Sequence, residues 1–178
     1  MPEARPLLSL DGALLRLIEG ARAACISDTE TISTFDAFGR VLAQDVVSLI
    51  DVPPQDNTSM DGYALRAADV RQAGTLLPLS QRIPAGHVGA PLAAGTAARI
   101  FTGAQVPEGA DAIVMQEQCE VVSDDAVRIN AVPQSGQWIR RRGEDVCVGA
   151  TVLTRGARLT PQAQGLAATV GAATLDVV

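Results

Sequence analysis

The chain has 178 residues, 47% of them hydrophobic and 19% charged. That is room for one ordinary domain or two small ones, and a balance that excludes a disordered chain. With one Trp, one Tyr and three Phe, the core falls to Ala, Val, Leu and Ile; together with a net charge of −6, this excludes the basic, aromatic footprint of a nucleic-acid binder.

Ser9 can cap a helix over residues 10–24, because Leu10, Leu14, Leu17, Ile18 and Ala21 recur at three-to-four spacing. Alternation over 29–33 predicts a strand, 36–43 reads as a short helix, and 45–49 is strand-like. The segment Asp51-Val-Pro-Pro-Gln-Asp-Asn-Thr-Ser59 then breaks both periodicities and reads as a loop at a domain crossing. Short β-prone runs follow at 77–83, 97–101, 112–115, 119–122 and 126–129, with Ser123-Asp124-Asp125 as a hairpin tip; this spacing predicts an antiparallel barrel or sandwich. Gln137 to Arg142 reads as extended. Thr160 as cap, Pro161 at the first helical position and Gly171 beyond the end frame a second helix, and 173–178 is strand-like up to the last residue. An element that runs to Val178 predicts a longer parent protein.

All fourteen basic residues are arginine, which removes Schiff-base chemistry and a P-loop lysine, and His87 is the single histidine, which removes any site built on several imidazoles. Carboxylates, hydroxyls and guanidinium groups remain. Cys25, Cys119 and Cys147 form no CxxC pair, and no apolar run reaches the roughly 18 residues that cross a bilayer, so a reducing cytoplasm and no membrane are expected.

Three constellations can carry chemistry. Asp51, Asp56, Asn57, Thr58, Ser59 and Asp61 group hard oxygen ligands that suit Mg²⁺ or an ordered water, or else simply bond their own backbone; Asp61-Gly62 is also a common tight-turn dipeptide. Met60 and Tyr63 place Asp61 beside apolar surface, where desolvation would raise its affinity for protons or cations. Thr102-Gly103 at a strand end can receive an oxyanion or be a plain strand exit. In Arg140-Arg-Arg-Gly-Glu-Asp145 the guanidinium groups can grip a phosphate, or else pair with Glu144 and Asp145. Trp138 reads as a packing residue that can also stack on a flat ligand.

Read in order, Phe38-Gly-Arg-Val-Leu-Ala-Gln-Asp-Val-Val-Ser48, Asp51-Val-Pro-Pro, Asp56-Asn-Thr-Ser-Met-Asp-Gly-Tyr-Ala64, the run from Phe101-Thr-Gly-Ala to Val-Met-Gln-Glu117, and Ile139-Arg-Arg-Arg-Gly-Glu-Asp145 resemble the MoeA family of molybdenum insertases, related to the gephyrin E domain. The resemblance implies ligation of molybdate to adenylylated molybdopterin, with Mg²⁺-dependent release of AMP. It makes Asp61, Thr102 and Asp145 the catalytic residues; the chemistry of the residues themselves lets Asp61 and Asp145 hold the metal or orient the attacking water, and makes Ser59, Gly103, Arg140, Arg141 and Arg142 the expected substrate contacts. The implied fold is α+β and β-rich: an elongated linker and dimerisation subdomain from residues 1–53 and 136–178, with helices, and an inserted β-barrel-like subdomain from 54–135. It further implies a homodimer, C-terminal domains beyond this chain that complete the site, contact with other cofactor-biosynthesis proteins, and an isolated fragment without turnover. The alternative is a non-catalytic dimerisation or protein-docking module on the same scaffold.

Overall fold

The structure, a computed structural model, describes residues 7–178; Glu3 and Arg5 at the start of the predicted outer segment lie outside the described residues. In chain order it comprises α1 (Leu10–Ala23), β1 (Glu30–Ser33), β2 (Val46–Val47), β3 (Asn57–Thr58), β4 (Gly62–Leu65), β5 (Thr75–Ile83), β6 (Ala97–Ile100), β7 (Ala112–Met115), β8 (Cys119–Ser123), β9 (Ala126–Ile129), β10 (Ile139–Arg140), β11 (Thr151–Leu153), α2 (Pro161–Thr169) and β12 (Thr174–Val177). The protein is α+β and β-rich.

One body is a curled, open sheet of six strands in the order β7-β4-β6-β5-β9-β8. It is antiparallel throughout except where β5 runs parallel to β6. Its two faces carry separate cores. Tyr63, Leu65, Leu77, Val114, Val127 and Ile129 pack on one face, and Ala64, Ile83, Ala98, Ile100 and Ile113 pack on the other. Strand β4 sits between β6 and β7 and contributes to both cores, so all four of its residues are buried. That is why its side chains, Gly-Tyr-Ala-Leu, show no alternation.

A further core gathers Ala37, Leu42 and Val46 from the early chain with Leu159, Ala167, Val170, Leu175 and Val177 from its end. Pairings of β1 with β12 and of β2 with β11 close this body across the whole sequence. Helix α2 begins as expected: Thr160 accepts a hydrogen bond from Ala163 N, Pro161 takes the first turn, and Gly171 adopts φ 89° just past the end. Helix α1 is capped by Ser9, which accepts from Gly12 N at 3.2 Å, yet none of its residues is buried.

Three expectations change. Residues 36–43 are not helical: a 3-10 turn at Thr34–Asp36 ends at Ala37, a tight turn follows in which Gly39 takes φ 79°, and Val41 and Leu42 then form bridges to Arg158 and Val177. The extended run 137–142 contracts to Ile139–Arg140, because Trp138 takes a left-handed φ of 58°. The predicted loop 51–59 contains a strand, β3, because Asn57 and Thr58 find partners in the distant β10, Arg140 and Ile139.

The three cysteines carry no disulfide. Burial pushes the Cys119 thiol up to about 12, so it stays protonated at neutral pH. Among the described residues, no helix is long and apolar enough to cross a membrane.

Candidate functional site

The antiparallel register that pairs Gly62 with Ile100 carries Asp61 past the end of the β4–β6 ladder, beside the turn Phe101 to Ala104. That turn is closed by Ala104 N donating to Phe101 O at 2.8 Å, and it needs a positive φ at its third residue, which Gly103 supplies at 81°. Thr102 therefore faces Asp61. Its backbone N–H and its Oγ1 both donate to Asp61 Oδ1, each at 2.8 Å. The backbone donor is the chief cause, and the hydroxyl the second, of an Asp61 carboxyl that ionises below the usual 3.8; nearby Arg99 adds to it.

This corrects two expectations. Asp61 does not have a raised affinity for protons, because two donors aim at it and outweigh any desolvation. Thr102 has no donor left for an oxyanion, since both are committed to Asp61. Asp61 Oδ2, by contrast, has no hydrogen-bond partner among the described residues.

Behind this pair lies Thr58, 1% exposed, which fixes the approach of the chain. Thr58 O accepts from Gly103 N at 2.9 Å, Thr58 N donates to Ala104 O at 3.0 Å, and its hydroxyl donates to Met60 O at 2.7 Å and accepts from Met60 N at 3.1 Å. The same strand pairs Thr58 with Ile139 and Asn57 with Arg140. Next to it, Ser59 donates through both its amide and its Oγ to Trp138 O, each at 3.1 Å. Ser59, Gly103 and Arg140 are thus tied to one short strand.

The arginine block is neutralised internally. Arg140 Nη2 reaches Asp145 Oδ2 at 2.5 Å, and its Nε lies 4.0 Å from Glu144. Arg141 Nη1 donates to Asp56 Oδ2 at 2.7 Å and Arg142 Nε to Asp51 Oδ2 at 2.6 Å, while Arg142 N donates to Asp56 Oδ1 at 2.8 Å. Pairing with Glu144 and Asp145 therefore holds for Arg140 alone. Asp51 and Asp56, read from the sequence as hard oxygen ligands, are counter-charges that pin this loop. Asp51 is held ionised first by Val148 N and then by Arg142, and Asp56 chiefly by the backbone N–H of Arg142.

Asp145 is joined to Asp61 and Thr102 by no direct bond; the route runs from Asp145 to Arg140, across to Asn57, and back through Thr58 and Gly103. A hollow of about 250 Å³ beside this strand is lined by Pro54, Asn57, His87, Gly103 and Gln105, and none of Asp61, Thr102 and Asp145 lines it. Among the described residues, no group of three or more His, Cys, Asp or Glu stands close enough to hold a metal ion. Sequence reasoning missed Arg82 and Arg99, which stack on Phe101 with guanidinium carbons 4.6 and 4.5 Å from the ring centre. Their sequence separation of 17 hides a contact that only the β5–β6 register creates.

An open curled sheet with a two-donor carboxylate at its rim, cross-tied to a body closed by the first and last strands, defines a β-rich α+β protein with one polar junction between its cores. The family model of the MoeA N-terminal region (domain I and II) matches residues 8–171. The chain belongs to this family. It is 38% identical over 167 residues to the molybdopterin molybdenumtransferase of Haemophilus influenzae, covering 94% of this chain and 41% of that protein. It is 46% identical over 154 residues to molybdopterin molybdenumtransferase 2 of Mycobacterium tuberculosis, covering 83% of this chain and 38% of that one. The crystal structure of the molybdopterin biosynthesis moeA protein from Pyrococcus horikoshii OT3 superposes with a TM-score of 0.80 at 37% identity, covering 85% of this chain and 41% of that chain. The chain thus spans about two fifths of the length of these relatives.

Proposed function

We propose that this chain forms the N-terminal part of a molybdenum insertase, which ligates molybdate to adenylylated molybdopterin and releases AMP in molybdenum cofactor biosynthesis. Membership of the MoeA N-terminal family and the names of its relatives support the pathway. The observation that carries the chemistry is the Asp61–Thr102 pair, a carboxylate fixed by two donors on one oxygen and open on the other. In this reading Thr102 is a positioning residue, and Asp61 Oδ2 is the atom that meets substrate, metal or water. Substrate contacts at Ser59, Gly103 and Arg140 to Arg142, and a second acid at Asp145, belong to the same proposal. Arg141 and Arg142 would act by holding the loop as much as by touching an anion.

The donor set suits Mg²⁺, which takes one or two carboxylates and completes its shell from water and substrate phosphates. Asp61 would hold it through Oδ2, the remaining ligands coming from water and substrate phosphate, while Asp145, tied to Arg140, would act as the second acid. When bound, the ion supplies charge neutralisation on a phosphoanhydride. Thr102 holds the Asp61 carboxyl below its ordinary range, so its negative charge persists further into acid.

The test is turnover in the longer protein that this reading implies. Asp61→Asn is expected to lower molybdate-dependent AMP release by about 100-fold, and Thr102→Val by about tenfold, as for loss of a preorganised electrostatic group and of its support. Unchanged release in Asp61→Asn would sink the assignment.

A second reading, self-association, is favoured by α1. Leu10, Leu14, Leu17 and Ile18 are 84%, 54%, 71% and 43% exposed on a capped amphipathic helix. A homodimer that covers this face would leave the site to be completed by further domains of its own or of the second chain. The insertase would then act as a dimer.

A further inference from the structure

Fourteen arginines serve this acidic chain, and those near the arginine-rich loop all have carboxylate partners. Two on the six-stranded sheet do not. Arg82 on β5 and Arg99 on β6 are direct neighbours in the parallel register, and Arg99 is in turn opposite Tyr63 on β4. Register neighbours point to one face, so two like charges stand side by side on adjacent strands, an arrangement that costs stability unless something compensates. Part of the compensation is aromatic. Both guanidinium groups lie over the Phe101 ring, and Arg99 also lies 5.1 Å from the Tyr63 ring centre.

The rest of the coordination is neutral. Arg99 donates to Gly62 O at 2.9 Å and to Gln116 Oε1 at 2.6 Å. Arg82 makes no side-chain hydrogen bond among the described residues, and neither arginine has a carboxylate within 4 Å there. Both line an open hollow of about 460 Å³ at the mouth of the curl, shared with Tyr63 and the hairpin residues Ser123, Asp124 and Asp125. Its volume falls in the range of small-ligand clefts, roughly 300–1,000 Å³. Arg82 and Arg99 supply the positive charge of this lining, and Asp124 and Asp125, on the β8–β9 hairpin, are its acids.

We propose that this mouth binds a doubly charged tetrahedral oxyanion between the Arg82 and Arg99 guanidinium groups, with Phe101 holding both forks in place. Planar forks match tetrahedral oxyanions bidentately, and stacking on a ring removes the rotamer freedom that binding would otherwise have to freeze. A phosphoryl group and a metal oxyanion share this chemistry, and the probes separate them. The choice of probes rests on the insertase reading, but the site does not.

Calorimetric titration of the chain at low salt, with AMP and with sodium molybdate in separate runs, tests the proposal. At least one probe is expected to saturate near one equivalent. Arg82→Gln should weaken binding by about tenfold or more, and Arg82→Lys by less, as expected when a bidentate charged contact is lost or reduced to a point charge. Arg71→Gln carries the same charge change near the opposite end of β5 and should bind as the parent does. Arg82 is exposed, so its variants are expected to fold, and circular dichroism checks this. Saturation by AMP alone identifies a phosphoryl ligand and saturation by molybdate alone a metal oxyanion; either supports the site. The proposal is overturned if neither probe saturates, or if Arg82→Gln and Arg71→Gln bind alike. The insertase reading fails separately, on turnover of the Asp61 variants.

Discussion

At Gly62 a single missing methyl group lets the neighbouring acid reach its place. A Cβ there would lie 2.0 Å from the Val114 carbonyl oxygen and 2.9 Å from its carbonyl carbon. Both atoms are β7 backbone paired with β4, so neither can retreat without opening the ladder. Gly62→Ala is therefore expected to destabilise the protein by about 1–3 kcal/mol, the usual range for overpacking a tight interior. Urea unfolding measures this, and a parental midpoint would show that the strand has room. The glycine of Asp61-Gly62 thus opens a strand and serves close approach, where the dipeptide alone suggested a tight turn.

At the scale of elements, α1 stands apart from every other piece. Its cap and periodicity suffice to make it a helix, but it contributes nothing to the three cores. Leu14→Asp should accordingly leave the urea midpoint of the rest of the chain within about 0.5 kcal/mol of the parent, as for surface substitutions. In sedimentation velocity it should convert a dimer to a monomer. A parent chain that is monomeric at high concentration would end the self-association reading. Strand β4 is the opposite case: a short strand of four residues, all buried, that lies between β6 and β7.

Across the whole molecule, Asp51, Asp56 and Asp61 cross-tie segments that lie far apart in sequence. Each ionises more readily folded than in an unfolded chain, where the value is 3.8. Their contribution to stability is therefore complete above that value and is lost as the pH falls through the lower folded values. The melting temperature should be flat at neutral pH and drop below about pH 4. Asp56→Asn should lower it at neutral pH and shallow the acid limb. An acid limb as steep in Asp56→Asn as in the parent would mean that other carboxylates carry the transition.

Much of this protein is written locally. Ser9 and Thr160 announced their helices, and the runs at 77–83, 97–101, 112–115, 119–122 and 126–129 all became strands of one sheet. The motif residues around Asp61, Thr102 and the Arg140 to Asp145 block were visible because short polar side chains beside glycine and proline interrupt an otherwise apolar pattern. Charge and stacking partners were not visible: Asp51 and Asp56 meet Arg142 and Arg141, and Arg82 and Arg99 meet over the Phe101 ring, each brought close only by the fold. Local propensity depends on a residue and its near neighbours along the chain, whereas ion pairs, stacking and pKa shifts depend on distances of a few ångströms through space. The first can be read along the chain; the second exists only after the sheet has closed.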